Sequence, residues 1–198
     1  MSEPGLRAAI TKTLLEHLAR HDPELHEKVQ QRVGPEVLGE IDGLMAIAYV
    51  PIDHHLDVID AIEQEVGPEG LQALFADVYL QGFSRLGALR GFLDATLRMF
   101  STSPMSLGRA LPRAWASMSR DLGRFTSPEP ISEHGFETSF VEFAERLLDR
   151  PAWVWTFAGL IDGLLRHVGC VGHTAVDRDG WTDRKVTFRA EWTTSEPP

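Results

Sequence analysis

Two imidazoles and one thiol stand close together near the end of the sequence. His167, Cys170 and His173 follow each other at intervals of three residues, and imidazole nitrogen and thiolate sulfur are ligands that Zn²⁺ prefers. Structural zinc sites usually pair cysteines or histidines at tighter spacing, and these three residues run from a predicted helix end into a predicted strand. The sequence therefore predicts no metal and keeps this set as the alternative site.

A second polar cluster contains Asp53, His54, His55 and Asp57. Carboxylates beside an imidazole are suited to general acid–base catalysis. Asp53, however, is placed to cap a helix, and His54 and His55 cannot face the same way as neighbours on a helix. The sequence has no nucleophile elbow, phosphate-binding loop or dinucleotide fingerprint. It predicts no catalytic residues and no enzyme, with an enzyme that uses Asp53, His54 and Asp57 as the lowest-ranked alternative.

His17 and His21 lie one helical turn apart, a spacing that can hold a metal ion. No glutamate lies between them as in the His-Glu-x-x-His proteases. His21 falls near a predicted helix C-terminus, where a partly charged imidazole is favourable. A structural role is therefore favoured for both histidines.

The composition limits the classes of partner. The 198 residues carry a formal net charge of −10 with a pI near 5.2, whereas nucleic-acid binding depends largely on Lys and Arg. Cys170 is the single cysteine, which permits no internal disulfide and favours a reducing compartment. No secretory leader is visible, and no apolar run approaches the length of about 20 residues that spans a bilayer. We predict a cytoplasmic protein that binds no nucleic acid and spans no membrane.

The longest amphipathic pattern runs from Gly70 to Phe100. Apolar residues recur there at intervals of three and four, which is typical of one buried helix face. Glycine stands at positions 82, 87 and 91, and each would cost about 1 kcal/mol inside a helix relative to alanine. These glycines indicate a close neighbour or a kink. The stretch is therefore one long central helix or two helices that meet near positions 82–91.

Shorter helices are predicted on both sides of this stretch. A first helix ends near His21, and helix boundaries are expected at 22–23, 34–35 and 67–68. Each of these pairs ends in proline, which suits the first turn of a helix, and begins with a residue suited to a cap or to the end of the preceding helix. A further apolar stripe from Leu107 to Leu122 predicts another helix, in which Pro112 either introduces a kink or starts a new helix.

Beyond these helices the pattern changes to the alternation of strands. A strand at 136–143, a helix that opens at Pro151, and strands at 173–176 and 186–192 are predicted in this order. Residues 125–135 are rich in Ser, Pro and Glu and predict a loop. Helices followed by a small antiparallel sheet place the chain in the α+β class, with a crossover between parallel strands around the Pro151 helix as an open alternative.

No linker is long or low in complexity, so residues 1–198 are predicted to form a single domain. Its parts are a mainly helical portion at 1–125, a strand–helix–strand–strand portion at 126–192, and a loose tail at 193–198.

Several motifs resemble an uncharacterised bacterial protein family common in myxobacteria, over roughly residues 39–192. They are Tyr49-Val50-Pro51, Gly67 before a long helix, Leu111-Pro112-Arg113-Ala114-Trp115, Gly123, and Phe188-Arg189-Ala190-Glu191-Trp192. The order of elements also resembles the fold shared by haem–nitric-oxide-binding domains, vinyl-reductase-type domains and TRAPP subunits. This resemblance implies a small-molecule sensor or an assembly subunit, often dimeric.

Haem sensors of that fold carry a Tyr-x-Ser-x-Arg motif for the haem propionates. This chain has Tyr79, Ser84 and Arg85, which are the same residue types at a different spacing. The departure from the motif predicts that the chain binds no haem, and no other cofactor is expected.

Three functions from different classes remain open. The favoured one is a non-catalytic regulatory or adaptor domain with a pocket for a small hydrophobic ligand and a surface for a protein partner. The second is an assembly subunit whose own side chains fill that space, and the third is the enzyme. A cavity of roughly 300 Å³ or more beside the long helix would favour the first, and a filled space the second. The candidate pocket residues are Phe83, Gly87, Gly91, Phe92, Trp153 and Phe157.

Large apolar side chains also fall outside the main stripes. Phe92, Met99 and Trp155 are examples, and exposed apolar clusters generally mark an interaction surface. Together with the resemblance to dimeric folds, they predict a homodimer. Trp181, in a polar turn, either lines a pocket or interface or folds back over the sheet edge.

Overall fold

Helices dominate the first part of the chain and strands the last part. The computed structural model describes residues 3–82 and 103–194. The elements before residue 83 are β1 (Gly5–Arg7), α1 (Ala8–His21), α2 (Pro23–Val33), α3 (Pro35–Gly43), β2 (Tyr49–Pro51) and α4 (Ile52–Gly82). The later elements are α5 (Pro104–Met118), β3 (Ser119–Arg120), β4 (Arg124–Phe125), β5 (Glu129–Ser132), β6 (Gly135–Val141), α6 (Trp153–His167), β7 (Cys170–Asp177) and β8 (Lys185–Thr194). The predicted α+β class is confirmed.

The helix boundaries follow the predicted local chemistry. The Asp22 side chain accepts a hydrogen bond of 3.0 Å from the Leu25 amide and caps α2. Gly67 has a φ of 73°, which interrupts α4, and Pro68 opens the second half of that helix. Pro112 lies inside α5 without ending it. Of the predicted central helix, residues 70–82 are helical, and the remainder lies outside the described residues.

The C-terminal sheet has the order β4-β6-β8-β7, with β5 also paired to β6, and every neighbouring pair is antiparallel. Because β8 is antiparallel to both β6 and β7, those two strands run in the same direction. Helix α6 carries the chain from one to the other past β8. The small antiparallel sheet and the crossover around this helix are therefore both present.

Two strand predictions need correction. The predicted loop at 125–135 contains β5, whose four residues are all exposed and include Pro130, so the segment shows no alternation of polarity. The predicted loose tail begins too early, because Thr193 and Thr194 belong to β8 and pair with β7.

A second, three-stranded antiparallel sheet of order β2-β1-β3 was not predicted. Its strands have two or three residues each, which is too short for a period to be visible. Leu6 and Val50 face each other across β1 and β2 and are buried. This sheet connects the start of the chain to β3, the strand that directly follows α5. In that pairing Gly5 of β1 lies opposite Arg120 of β3.

Helix α6 packs closely on the second half of α4. A Cβ added at Gly159 would overlap the Gln72 carbonyl oxygen, and one at Gly163 would lie 2.9 Å from the Ala76 carbonyl oxygen. These glycines let the two backbones approach each other directly. No helix in the described part of the chain is long and apolar enough to cross a membrane.

Candidate functional site

A small apolar cavity lies between the N-terminal helices and the C-terminal part of the fold, with a volume of about 70 Å³. Side chains from β1, α1, α4, α5, α6 and the sheet line it. The N-terminal wall includes Leu6, Ile10, Leu14, Ile52, Phe75 and Val78. The opposite wall includes Trp115, Phe140, Trp153, Phe157 and Leu160.

The aromatic rings of the opposite wall pack against one another. The ring centroids of Trp115 and Phe157 are 4.8 Å apart, those of Phe140 and Phe157 5.0 Å, and those of Phe140 and Trp153 5.4 Å, each pair in an edge-on arrangement. Edge-on aromatic pairs at these separations are favourable beyond their buried area. The protein's own side chains therefore fill most of the space, and the remaining volume is well below the roughly 300 Å³ of an ordinary ligand pocket.

The polar side chains on the cavity wall are uncharged. His55 Nδ1 lies 2.9 Å from the Thr11 hydroxyl oxygen, and burial lowers the pKa of His55 from its ordinary value of 6.5 to about 4. The Thr156 hydroxyl donates a hydrogen bond of 2.7 Å to the Trp153 carbonyl oxygen. Burial also raises the pKa of Tyr79, so its phenol is neutral at pH 7. The cavity therefore presents a neutral imidazole inside an apolar wall.

The structure places the six predicted pocket residues as follows. Trp153 and Phe157 line the cavity. Phe83, Gly87, Gly91 and Phe92 lie outside the described residues.

Sequence reasoning missed His55 as a cavity residue because it was judged together with its polar neighbours. Its position, however, is four residues before the buried Ile59, which is itself three before Ile62. That helical spacing was the signal that His55 belongs to the buried face of α4.

The haem of related folds needs an axial ligand, room for a porphyrin and partners for its propionates. Among the described residues that line the cavity, no Lys or Arg is present, and His55 is the one imidazole. The sequence between residues 83 and 102 contains no His, Cys or Tyr, so Met99 is the one axial-ligand type it offers. A volume of about 70 Å³ cannot hold a porphyrin. The residues that the structure describes do not fit haem.

The alternative metal set does not converge. Cys170 is buried at the start of β7, whereas His167 is exposed at the end of α6. The side chain of His173 is 74% exposed, with Nδ1 3.7 Å from a carboxylate oxygen of Asp162. In the described ranges, no group of three His, Cys, Asp or Glu side chains is placed to hold a metal ion.

The Asp53 cluster forms ion pairs with the segment before α6. Arg146 contacts Asp53 at 2.7 Å, and Arg150 contacts Asp57 at 2.8 Å and Asp60 at 2.6 Å. Asp53 does not cap the helix, since α4 begins at Ile52 and Asp53 lies inside its first turn. All three carboxylates form ion pairs with arginine side chains, and none of these contacts involves a nucleophile. The ion pairs therefore connect α4 to the segment before α6.

His54 is also engaged, since its Nε2 lies 3.2 Å from a carboxylate oxygen of Glu40. Trp181, the other residue left open by the sequence, packs over the aromatic wall. Its ring stacks on Trp153 with centroids 5.7 Å apart, and the Arg178 guanidinium lies 4.4 Å from the Trp181 ring centroid. Trp181 is therefore a partly buried residue of the β7–β8 connection that packs against the core.

The fold is similar to that of H-NOX proteins of known structure. An Fe(II) unliganded H-NOX protein from K. algicida matches with a TM-score of 0.65 at 10% identity, covering 98% of this chain and 100% of that one. An Fe(II)NO H-NOX protein from S. oneidensis matches with a TM-score of 0.65 at 10% identity, covering 96% and 100%. A mutant of T. tengcongensis H-NOX matches with a TM-score of 0.60 at 12% identity, covering 96% and 98%.

No protein-family model matches the sequence, and no curated protein is significantly similar to it. The likeness to the solved structures concerns the fold. It agrees with the resemblance to haem–nitric-oxide-binding domains inferred from the order of elements, whereas the resemblance to an uncharacterised myxobacterial family gains no support from these comparisons.

Proposed function

We propose that this chain is a non-catalytic regulatory domain that binds a small apolar molecule directly in its cavity, without haem. The observation that carries the proposal is the cavity itself, which combines an apolar wall with a single neutral imidazole, His55. The H-NOX structures supply the precedent, since the S. oneidensis protein is described in an Fe(II)NO state. The same fold would here use a protein-lined cavity in place of a cofactor.

The cavity volume sets the size of the ligand. About 70 Å³ is less than half of the roughly 150 Å³ cavity that accepts benzene or xenon in a well-studied case, so a ligand of only a few non-hydrogen atoms fits without rearrangement. Small ligands gain at most about −1.5 kcal/mol per non-hydrogen atom. Five such atoms would give a Kd on the order of micromolar at best. The domain would therefore respond to a weakly bound, abundant molecule.

The experiment is a xenon titration of methyl-labelled protein, followed by the chemical shifts of the Ile, Leu and Val methyl groups. We expect saturable shifts at Leu6, Ile10 and Leu14, and their loss in a Leu160→Trp variant that fills the cavity from α6. Leu38→Trp is the matched control, since Leu38 is a half-buried helical leucine away from the cavity.

Two results would reject the proposal. One is the absence of saturable shifts at the cavity methyl groups, and the other is a response of the Leu160→Trp variant equal to that of the control. Native mass spectrometry of the purified protein then searches for a co-purified molecule of low mass.

The cavity volume of about 70 Å³ falls short of the roughly 300 Å³ expected of an ordinary ligand pocket, and this measure by itself favours a second candidate, an assembly subunit whose core is filled by its own side chains. In that case the predicted homodimer and a protein partner carry the function. Trp155 is half-buried, whereas Phe92 and Met99, the other residues behind the dimer prediction, lie outside the described residues. Light scattering at micromolar concentration measures the oligomeric state, and a dimer mass together with no xenon binding would support this candidate.

A further inference from the structure

A polar groove lies on the other side of α6, between that helix, the second half of α4 and β7, with a volume of about 710 Å³. It is open to solvent, and its size falls within the usual range of small-molecule sites. Its walls include Glu69, Ala73, Trp155, Asp162 and Thr174. None of these side chains takes part in the apolar cavity.

The floor of the groove contains a buried carboxylate with one unused oxygen. Asp162 is only 5% exposed, and its Oδ2 accepts a hydrogen bond of 2.7 Å from Gln72 Nε2. The same Gln72 amide donates to the Thr174 carbonyl oxygen at 3.0 Å. The two protons of that amide are thus engaged, and Asp162 Oδ1 has no hydrogen-bond partner among the described residues.

The hydroxyl of Thr174, next to Asp162, is also buried without a well-formed hydrogen bond to any described residue. Thr174 is fully buried, and its Oγ1 has no partner in good hydrogen-bond geometry in the described part of the chain. Burial raises the pKa of Asp162, and the Gln72 amide and the nearby Thr174 hydroxyl each offset part of that rise through weaker hydrogen-bonding interactions with the carboxylate. Buried polar atoms are almost always paired, and an unpaired one costs the free energy of its lost hydration. Two buried oxygens thus lie at the floor of one groove without a hydrogen bond of good geometry from the described ranges, and one of them belongs to a carboxylate, so a ligand that donates hydrogen bonds is favoured here.

The charges around the groove favour a cation. Glu69 adds a second carboxylate on the α4 side. Arg166 also lines the groove, but it is paired with Asp77 at 2.8 Å, and the exposed His173 reaches only Oδ2 of Asp162, at 3.7 Å. Trp155 supplies an aromatic wall, and aromatic rings attract cations and pack against apolar groups.

We propose that this groove binds a small organic cation, whose ammonium or guanidinium group donates hydrogen bonds to Asp162 Oδ1 and Thr174 Oγ1 while its apolar body packs against Trp155. The site is independent of the apolar cavity, so it stands or falls separately from the regulatory function proposed above.

The test is a titration of ¹⁵N-labelled full-length protein with benzylammonium chloride at constant ionic strength, followed by the Thr174 amide and the Gln72 side-chain amide signals. We expect saturable shifts with a Kd on the order of 1 mM, as suits a ligand of about eight non-hydrogen atoms that finds one good ionic contact. Benzyl alcohol, which has the same shape without the charge, should bind at least about tenfold more weakly.

Two variants at the groove and one control variant distinguish binding in the groove from non-specific binding to the protein surface. Asp162→Asn should weaken benzylammonium binding about tenfold or more, and Asp149→Asn, which changes an exposed aspartate outside the groove, should leave it unchanged. Ala73→Phe blocks the groove from an exposed position on α4, so it should abolish binding without disturbing the buried carboxylate.

Equal binding of benzyl alcohol, or binding that survives Ala73→Phe, would overturn the proposal. The absence of saturable shifts with benzylammonium would also overturn it. Binding of a lysine-rich peptide without binding of benzylammonium would mean that the groove takes a protein segment and not a small cation. If Asp162→Asn does not fold, the Ala73→Phe variant and the neutral ligand still decide the question.

Discussion

Helix α6 separates two sites of opposite character. On one side, Trp153 and Phe157 border an apolar cavity in which the imidazole of His55 is neutral and hydrogen-bonded. On the other side, Asp162 lies at the floor of an open groove with one oxygen unpaired among the described residues. The difference shows how one helix can present faces of opposite polarity to its neighbours. Its aromatic face excludes charge, and its glycine-rich face brings a carboxylate against α4 and β7.

The boundary between the two sites is a direct backbone contact between α4 and α6. Gly159→Ala would drive a Cβ into the Gln72 carbonyl oxygen, which cannot move without distorting α4. We expect a loss of more than about 3 kcal/mol in the free energy of unfolding, measured by urea denaturation. Gly39→Ala is the control, since nothing lies within 4 Å of a Cβ there, and it should gain about 0.5–1 kcal/mol. Equal effects of the two changes would contradict the close packing.

The aromatic side of α6 is tested by removing one ring. Phe140 is fully buried and packs on Trp115, Trp153 and Phe157, so Phe140→Ala should cost about 3–5 kcal/mol. The larger cavity should also bind benzene, which the native cavity is too small to accept. Ile131→Ala, at an exposed position, should change stability by less than about 0.5 kcal/mol. An unchanged affinity for benzene would show that the wall collapses into the space.

The titration of His55 distinguishes the cavity from solvent-exposed sites. Burial lowers its pKa in the folded state from 6.5 to about 4, so the unfolded chain binds more protons between these values. Its contribution to stability is present above pH 6.5 and is lost as pH falls towards 4, by about 3 kcal/mol in all. Urea denaturation at a series of pH values should give a smaller pH dependence for His55→Gln than for the native protein. His134→Gln, at an exposed position, should retain the native slope.

Asp162, in the groove, should have the opposite effect on the pH dependence of stability from that of His55. Burial raises the pKa of Asp162, so the folded state binds the proton more tightly, and the stability cost of this group appears as pH rises. Asp162→Asn should therefore stabilise the protein by about 1 kcal/mol at a pH of about 7.5 and by less at a pH of about 4. Denaturation at the two pH values measures the difference. A variant that is less stable than the native protein at the higher pH would mean that the charged carboxylate is better satisfied than its contacts indicate.

The sequence predicted the elements that have a long period or a defined cap. Asp22, Gly67 and the alternation of 186–192 identified helix and strand boundaries that the structure contains. The sheet formed by β1, β2 and β3 was missed because pairing between distant segments of two or three residues leaves no local pattern.

The two sites were visible only in part. Trp153 and Phe157 were recognisable from the apolar stripe of α6. Asp162 was not singled out, although a carboxylate between Ile161 and Gly163 in an apolar helix was a signal of a buried polar contact. Its partner Gln72 lies on α4, 90 residues away in sequence, and Thr174 lies on β7, so only the packing of these elements brings them together.

Visible absorption spectroscopy measures whether the purified chain carries haem. The protein is expressed in cells supplied with a haem precursor, purified by gel filtration and compared with a haem-loaded H-NOX protein. No Soret band at a level of one haem per chain is expected, because the cavity is about 70 Å³ and its described lining has no cationic side chain. A strong Soret band that remains after gel filtration and is lost in His55→Gln would contradict this expectation.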